Sequence, residues 1–354
     1  MNVLLIGGGT QGLAFVLPLT KLGYKVFLLV EEKNNYADAS KYVAGVILSS
    51  IKLSDASYLE FLLSVIHDNN ITVVISMGDG SAEFISKNIR KISEVVSVKM
   101  PEYEIFMGGY NKNSLMALCK SKGFPHPLTI YLSQASLDTP ALHNFPYPAI
   151  LKPNISTGGR GMKIIASYDE LCSCYEELKS KYGAYHMQEF IPAGGNQYKV
   201  QLYIDEKGSL IQGTAIQKVR WFPVSGGSNC CAVSILNDEM IALCYNILKE
   251  LRWVGFADFD LIEDPRNNRI LVMEINPRVP ACIKAPMAAG VNWPEVIVNG
   301  YLNRPQKTYS YRNNIVLRHL GLDILWFLRS DKRWNTTPCW FSFFGKKVYY
   351  QDMN

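Results

Sequence analysis

Short apolar segments alternate with amphipathic segments over the first hundred residues of the chain. The apolar runs have the length and composition of buried strands, and they span residues 3–6, 25–30 and 71–76. Segments with helical spacing of apolar residues follow them, at residues 13–19, 56–69 and 82–92. Strands that alternate with helices in this way predict a parallel sheet with helices on its faces.

The glycine-rich stretch at residues 7–12 permits two interpretations. Gly7, Gly9 and Gly12 match the spacing G-x-G-x-x-G, and Glu31 and Glu32 follow about twenty residues later, as in dinucleotide-binding sites. The same glycines also suit a tight turn from strand into helix, or a site for another anion at the helix start. This segment alone leaves an NAD-dependent Rossmann oxidoreductase open.

A second glycine-rich segment follows a strand that carries one lysine. Residues 146–153 form an apolar run that contains Lys152, and residues 163–166 are predicted as its hairpin partner. Between them lie three glycines, namely Gly158, Gly159 and Gly161. A lysine supplies positive charge and glycines let backbone N–H groups approach an anion, so the segment predicts phosphate binding. The alternative is a surface hairpin with an incidental lysine.

Acidic residues are concentrated on a predicted hairpin formed by residues 256–262 and 270–278. Strand periodicity places its polar side chains in pairs on one face, Asp258 with Asp260 and Glu274 with Asn276. Oxygen ligands without histidine or cysteine favour a hard cation such as Mg²⁺. Arg278 falls on the same side and can clamp a transferring phosphoryl group.

The order of these motifs resembles the ATP-grasp superfamily, most closely its carbamoyl-phosphate-synthetase-like and amino-acid-ligase branches. The resemblance covers roughly residues 1–305, and its most specific part is the segment 274–278 preceded by the Asp260 strand. It implies an α/β protein in which a Rossmann-like parallel-sheet domain, without a dinucleotide, precedes two α+β subdomains that clamp ATP. The expected units are a first domain at 1–108, a lid subdomain at 109–190, a catalytic subdomain at 191–306 and an aromatic-rich extension at 307–354.

The resemblance also implies which residues contact ATP. Lys112 and Lys152 are similar to the two basic residues that contact the phosphates. The mobile lid loop is expected to include Ser156, Gly158, Gly159, Gly161 and Met162. The hinge that meets adenine, through one side chain and backbone groups, is expected at Gln188, Glu189 and Ile191. Gln197 stands where a carboxylate commonly holds the ribose hydroxyls, and its amide can still form a hydrogen bond with a hydroxyl.

The resemblance further implies the metal ligands and the catalytic cations. Asp260, Glu274 and Asn276 are similar to the magnesium ligands, and Arg278 to the cation that faces the acyl phosphate. Lys218 and Arg220 are candidates for the approach to the γ-phosphate, because they are two residues apart and so predicted on one strand face. A solvated basic pair is the alternative. The segment 221–229 resembles the substrate-facing loop.

The implied activity is that of an ATP- and Mg²⁺-dependent ligase that forms a C–N bond, with Mn²⁺ as a possible substitute metal. Such an enzyme activates a small carboxylic acid or amino acid as an acyl phosphate and transfers it to an amine or similar nucleophile. A carbamoyl-phosphate-synthetase-like phosphorylation of bicarbonate or carbamate is the alternative within the family. A nucleotide-binding protein that has lost catalysis is a further one. The sequence does not identify the acid or the acceptor.

Composition excludes several other classes. The chain has 354 residues and a net charge of +5, without a long run of one sign, which disfavours nucleic acid as a partner. The eight cysteines form no CxxC pair and the five histidines are dispersed, so a zinc site or a catalytic triad has no support. We expect small-molecule substrates, no integral membrane segment and a cytoplasmic location, because no apolar run spans a bilayer and no secretory signal is evident.

The last fifty residues are rich in aromatic and basic side chains. Aromatic residues there include Trp326, Phe327, Trp334, Trp340, Phe341, Phe343 and Phe344. The expected role is packing on the core or a subunit contact, which would suit a homodimer. A platform for single-stranded nucleic acid and a helix on a membrane surface are the alternatives.

Overall fold

The computed structural model describes residues 1–33, 35–133, 137–156, 158–224, 226–345 and 347–351. The described chain forms a four-stranded parallel sheet, a four-stranded antiparallel sheet and a seven-stranded mixed sheet. Within these ranges, every helix is too short or too polar to span a lipid bilayer.

The first sheet is parallel throughout, with the strand order β3-β2-β1-β4. Its strands are β1 (Asn2–Ile6), β2 (Lys25–Val30), β3 (Val43–Leu48) and β4 (Ile71–Ser76). The helices around it are α1 (Gly9–Lys21), α2 (Tyr58–Asp68), α3 (Asp79–Lys87) and α4 (Ile89–Ser93). The predicted parallel-sheet domain is therefore confirmed. Strand β3 was not predicted, because it lies at the sheet edge and is half exposed.

Two helices connect the first sheet to the second, α5 (Tyr103–Tyr110) and α6 (Lys112–Lys122). The Asn111 side chain caps α6 by accepting hydrogen bonds from the backbone N–H groups of Asn113 and Ser114. Gly123 ends the helix in the left-handed conformation, with φ of 73°. The cap fixes Lys112 in the first helical turn, where its backbone N–H donates to the carbonyl of Asn154 at 2.9 Å.

The second sheet is antiparallel and has the strand order β5-β8-β6-β7. Its strands are β5 (Thr129–Tyr131), β6 (Ala149–Pro153), β7 (Lys163–Ile165) and β8 (Tyr185–Glu189). The helices of this unit are α7 (Pro140–His143) and α8 (Tyr168–Tyr182). Leu151, Tyr175 and Met187 belong to its separate hydrophobic core.

The third sheet has seven strands in the order β13-β12-β9-β10-β11-β14-β15. Its first five strands along the chain are β9 (Gln197–Ile204), β10 (Leu210–Phe222), β11 (Ser228–Ile235), β12 (Gly255–Asp264) and β13 (Arg269–Asn276). The helices of this part are α9 (Asp238–Leu251), α10 (Lys284–Ala289), α11 (Trp293–Tyr301) and α12 (Leu320–Arg329). The sheet shares one continuous core with the first sheet.

The C-terminal segment adds two strands to the third sheet. Strand β14 (Val316–Arg318) pairs antiparallel with β11, and β15 (Val348–Tyr350) pairs parallel with β14. Strands of three residues are too short to show a periodicity in the sequence. The predicted unit boundaries stay predictions.

A buried charge cluster attaches α12 to this sheet and corrects one prediction. The Arg220 guanidinium donates to both carboxylate oxygens of Asp323, at 2.7 and 3.0 Å, and Arg318 Nε donates to Asp323 Oδ2 at 2.7 Å. A β-bulge around Val219 pairs Lys218 with Ala232 but Arg220 with Cys231. The extra residue turns Arg220 away from the face of Lys218, so the prediction of a shared face is wrong. Arg220 is buried in this cluster and does not reach the candidate active site.

Candidate active site

The acidic residues of strands β12 and β13 converge across the hairpin. Asp260 lies directly opposite Glu274, and Asp258 lies opposite Asn276. The amide nitrogen of Asn276 donates to Asp260 Oδ2 at 2.9 Å. The Asp258 side chain is fully buried, whereas those of Asp260 and Glu274 are 19% and 32% exposed. On the predicted acidic face, Asp258 is therefore buried, whereas Asp260 and Glu274 lie at a partly exposed rim.

Lys199 of the neighbouring strand lies between the two aspartates, and sequence reasoning gave it no role. Its ammonium group contacts Asp258 Oδ2 at 2.7 Å and Asp260 Oδ2 at 2.8 Å. Gln201 donates to the other oxygen of Asp258 at 2.8 Å. The signal was present in β9, where Lys199 and Gln201 alternate with apolar residues and so share a face. The sequence does not reveal that β9 pairs with β12, and this pairing brings Lys199 to the aspartates.

The pKa values of Lys199, Asp258 and Asp260 are shifted by burial and by one another's charges. Burial opposes the charge of Lys199, but Asp258 and Asp260 together raise its pKa above the ordinary value. Burial also opposes ionisation of Asp260, yet Lys199 and Lys218 hold the pKa of Asp260 below its usual range. The deeper Asp258 has a raised pKa because burial dominates there. Of the two aspartates, Asp260 is therefore the one whose environment favours the ionised form.

The two predicted phosphate-binding lysines lie against this acidic face. Lys112 Nζ is 3.2 Å from Glu274 Oε2, and it donates to the backbone carbonyl of Ser156 at 2.8 Å. Lys152 Nζ donates to Gln188 Oε1 at 2.6 Å. One lysine comes from α6 and the other from β6, so the antiparallel second sheet and the acidic hairpin meet at these ammonium groups.

The surroundings of Lys152 lower its pKa in the free protein. Burial, opposed by Glu274 and reinforced by Lys112, lowers the pKa of Lys152 to about 8. His186 lies opposite it on β8, and burial followed by the two lysines lowers the pKa of His186 to about 3. The neutral His186 ring is held by Asn154, with Nδ1 and Oδ1 2.8 Å apart.

The predicted lid loop has a backbone that only glycine adopts readily. Gly158, Gly159 and Gly161 have φ values of 62°, 73° and 76°. A Cβ atom at Gly161 would also lie 2.8 Å from Pro153 Cγ, so a side chain there would displace the loop. Met162 is exposed, and the carbonyl of Ser156 is held by Lys112. Thr157 lies outside the described residues.

Side chains of the predicted adenine hinge are engaged with the protein itself. The buried Gln188 amide donates to Thr129 Oγ1 at 3.1 Å in addition to accepting from Lys152. Glu189 accepts from the Leu128 backbone N–H at 2.9 Å and from Arg266 at 3.0 Å. In this arrangement the Gln188 side chain holds the Lys152 ammonium group. Contact with adenine by these residues stays a prediction.

Two other predicted positions differ in their surroundings. Ile191 has a buried side chain two residues after the end of β8. Gln197 begins β9, opposite Ile262 and Lys218, and its side chain forms no hydrogen bond with another described residue. The Gln197 amide is therefore available to a ligand, as the ribose prediction requires.

Of the predicted catalytic cations, Arg278 contacts the first sheet's part of the chain. Arg278 Nε donates to Asp79 Oδ1 at 3.1 Å, and Asp79 is the first residue of α3, three residues after the end of β4. Lys218 Nζ is 3.7 Å from Asp260 Oδ1, so Lys218 remains beside the acidic face although Arg220 does not. Of the predicted substrate-facing loop, Ser225 lies outside the described residues.

The oxygen donors fit a hard divalent cation. Asp260 and Glu274 supply carboxylates, Asn276 supplies an amide, and their positive partners are now lysine ammonium groups. Across the described ranges, no three histidine, cysteine or acidic side chains are arranged around one point. An ion bound here would depend on the amide and on ligand oxygens as well, which is the usual situation for Mg²⁺ with nucleotide phosphates.

The glycine turn of the first sheet is occupied by the chain's own side chains. A Cβ atom at Gly8 would lie 1.9 Å from Asn35 Oδ1, so the Asn35 side chain packs directly on the turn. Gln351 Nε2 donates to Thr10 Oγ1 at 2.8 Å in the first turn of α1. Both side chains cover the helix start where a dinucleotide pyrophosphate would bind, which argues against the oxidoreductase alternative.

Comparison with known proteins agrees with this geometry. Residues 110–282 match the family model described as the ATP-grasp domain. Residues 110–282 are therefore similar to an ATP-grasp domain. The match begins just before Lys112 and includes the acidic hairpin through Arg278, so the resemblance predicted from the motifs is confirmed.

Curated relatives match over part of their length. D-aspartate ligase of Enterococcus faecium is 27% identical over 226 residues, which are 58% of this chain and 53% of that protein. The carbamoyl phosphate synthase large chain of Campylobacter jejuni is 22% identical over 309 residues, 78% of this chain and 27% of the relative. The chain thus spans about half of the first relative and about a quarter of the second.

The fold is shared with a solved carboxylase domain. The biotin carboxylase domain of Hydrogenobacter thermophilus 2-oxoglutarate carboxylase superposes with a TM-score of 0.74 at 15% identity, over 89% of this chain and 73% of that one. That crystal structure is a domain dimer in complex with MgADP, ADP and bicarbonate. The likeness confirms the expected fold class of a parallel-sheet domain followed by an ATP-grasp fold.

Replacing Lys199 tests its role as the internal counter-charge. We expect Lys199→Met to destabilise the metal-free protein by about 3–5 kcal/mol, because it leaves Asp258 buried without its cation. The double variant Lys199→Met with Asp258→Asn removes both charges and should recover most of the loss. Urea unfolding followed by circular dichroism measures both. A single variant as stable as the wild type would refute the charge pairing.

The lowered pKa of Lys152 predicts a pH-dependent affinity for ATP. Above about pH 8 the free protein loses the lysine charge, so phosphate binding must first restore the proton. Affinity for a nonhydrolysable ATP analogue should therefore fall by up to about tenfold per pH unit above that point. Calorimetric titration from about pH 7 to about pH 10 measures the slope. Lys152→Arg, which keeps its charge, should flatten it; equal slopes in both proteins would contradict the assignment.

Proposed function

We propose that this protein is an ATP- and Mg²⁺-dependent ligase that activates a small carboxylic acid or amino acid and transfers it to an amine. The observation that carries the proposal is the position of the Lys112 ammonium, which lies between Glu274 and the carbonyl of Ser156. Through this contact the glycine loop and the acidic hairpin face each other across two lysines. Cations on one side and carboxylates on the other suit a metal-bound triphosphate.

The protein's part in phosphoryl transfer is positioning and charge neutralisation. Lys112 and Lys152 hold the phosphates, while Asp260, Glu274 and Asn276 hold Mg²⁺. The ion supplies positive charge that neutralises the developing charge on the transferred group. Lys112 contacts both the loop carbonyl of Ser156 and the hairpin, so nucleotide binding and closure of the glycine loop are linked. Closure excludes water, which would otherwise hydrolyse the acyl phosphate.

Arg278 is assigned to the carboxylate that receives the phosphoryl group. Its guanidinium already holds a carboxylate, that of Asp79, with contacts of 3.1 and 3.5 Å. A planar guanidinium recognises carboxylate and phosphoryl oxygens through paired hydrogen bonds. The position between the acidic hairpin and the start of α3 suits an acid that reaches the γ-phosphate from the side of the first sheet.

An amino acid or another small carboxylic acid is the preferred substrate class. The similarity to D-aspartate ligase supports this choice, since that relative is named for an amino acid. Phosphorylation of bicarbonate is the second candidate, because the solved carboxylase domain of the same fold is in complex with bicarbonate as well as MgADP. Screening amino acids, small carboxylic acids and bicarbonate for stimulated phosphate release separates the two. Stimulation by bicarbonate alone would favour the second candidate.

A titration with NADH tests the different-class alternative. We expect a nonhydrolysable ATP analogue to bind and NADH to leave the tryptophan fluorescence unchanged. NADH binding without ATP binding would favour the oxidoreductase function over the ligase function.

Variants of the hairpin test the proposed chemistry. With the most active substrates from the screen, Glu274→Ala and Arg278→Ala should each lower ADP release by at least about 100-fold, because each removes charge stabilisation from the transition state. Glu239→Ala and Arg269→Ala remove exposed side chains of the same types and serve as matched controls. Circular dichroism should show an unchanged fold in all four variants. Activity near the wild-type level in both hairpin variants would refute the site.

A further inference from the structure

The solvent-facing side of α12 is apolar. Ile324, Leu325 and Leu328 lie on one helical stripe and are exposed, whereas Asp323 and Trp326 on the other side are buried against the third sheet. A helix of a monomeric protein ordinarily exposes its polar face. The exposed stripe of α12 therefore needs a different explanation from packing in its own core.

Aromatic side chains extend this stripe into a larger surface. The rings of Trp334 and Phe341 stack with centroids 5.9 Å apart, and both contact Phe327 of α12, at 5.2 and 5.7 Å. Trp334 is 73% exposed, and Phe344, three residues after Phe341 in the chain, is 93% exposed. The C-terminal patch is defined by Ile324, Leu325, Leu328, Trp334, Phe341 and Phe344.

The patch rests on a rigid support. Asp323 is held by two buried arginines, which attach α12 to strands β10 and β14. Trp340 stacks on Phe327 with centroids 4.1 Å apart, and its indole N–H donates to the Asp323 carbonyl at 3.0 Å. The apolar side chains are thus presented outward by an ordered base, which lowers the entropic cost of binding a partner.

The segment that carries most of the patch is basic. Residues 329–347 include five basic residues and one acidic residue, so this segment has a net positive charge. Arg329, Lys332 and Lys347 are exposed, and none of them has a carboxylate partner in the part of the chain that the structure describes. Unpaired cations beside apolar side chains complement a partner that is anionic at its surface and apolar beneath it.

We propose that the C-terminal patch binds the surface of an anionic lipid membrane. Trp334 and Phe344 enter the interfacial region, Leu328 and its neighbours lie on the acyl boundary, and Arg329 and Lys332 contact the lipid phosphates. A second copy of the chain fits less well. A two-fold contact through this patch would bring the unpaired basic residues of both copies together.

Vesicle flotation with the full chain tests the proposal. We expect binding to vesicles of phosphatidylcholine mixed with phosphatidylglycerol, weaker binding at high salt and little binding to phosphatidylcholine alone. The double variant Leu328→Ser with Phe344→Ser should weaken binding by at least about tenfold, since each removes an apolar side chain from the interface. Arg329→Gln with Lys332→Gln should weaken it by at least about fivefold.

Matched variants control for general loss of apolar surface or charge. Val95→Ser with Leu236→Ser removes two exposed apolar residues elsewhere, and Lys120→Gln removes an exposed lysine elsewhere. Both should bind vesicles as the wild type does. Absence of binding to anionic vesicles, or unchanged binding by both patch variants, would overturn the proposal. So would a dimer in sedimentation analysis that the patch variants dissociate, because the patch would then be a subunit contact.

Discussion

Charge balance on one face of the third sheet is the constraint on which the candidate site depends. Asp258 and Asp260 are placed beside each other by strand periodicity, and a buried pair of carboxylates is costly without a cation. Lys199 supplies that cation from the adjacent strand, at 2.7 and 2.8 Å. Lys112 does the same for Glu274 at the rim. The acidic face is therefore folded and stable before any ligand arrives, with its outer carboxylates facing an open edge.

Local patterns in the sequence predicted most of the fold correctly. Apolar runs gave strands β1, β2 and β4, and alternation gave the hairpin of β12 and β13, because both signals arise within a few neighbouring residues. Strand β3 was not predicted because an edge strand needs only a weak apolar pattern. Strands β14 and β15 have three residues each, and their pairing with distant strands stabilises them more than their own composition does.

The sequence predicted those parts of the site that follow from the alternation of side chains along a strand. Asp260 and Glu274 face each other as expected, but Arg220 does not accompany Lys218, because one bulged residue reverses the face of a strand. Bulges have no reliable sequence signal. Lys199 was missed for a related reason, since its partners become evident only when the pairing of β9 with β12 is known. Long-range pairing is what the sequence alone does not reveal.

A crystal structure with Mg²⁺ and a nonhydrolysable ATP analogue tests the central claim most directly. We expect the phosphates to lie between Lys112 and Lys152, with Mg²⁺ about 2.0–2.1 Å from oxygens of Asp260, Glu274 and Asn276. Lys112 would then leave Glu274 for the phosphates, while Lys199 would remain on Asp258. A nucleotide bound elsewhere, or an acidic face still closed by its lysines beside a bound nucleotide, would contradict the account.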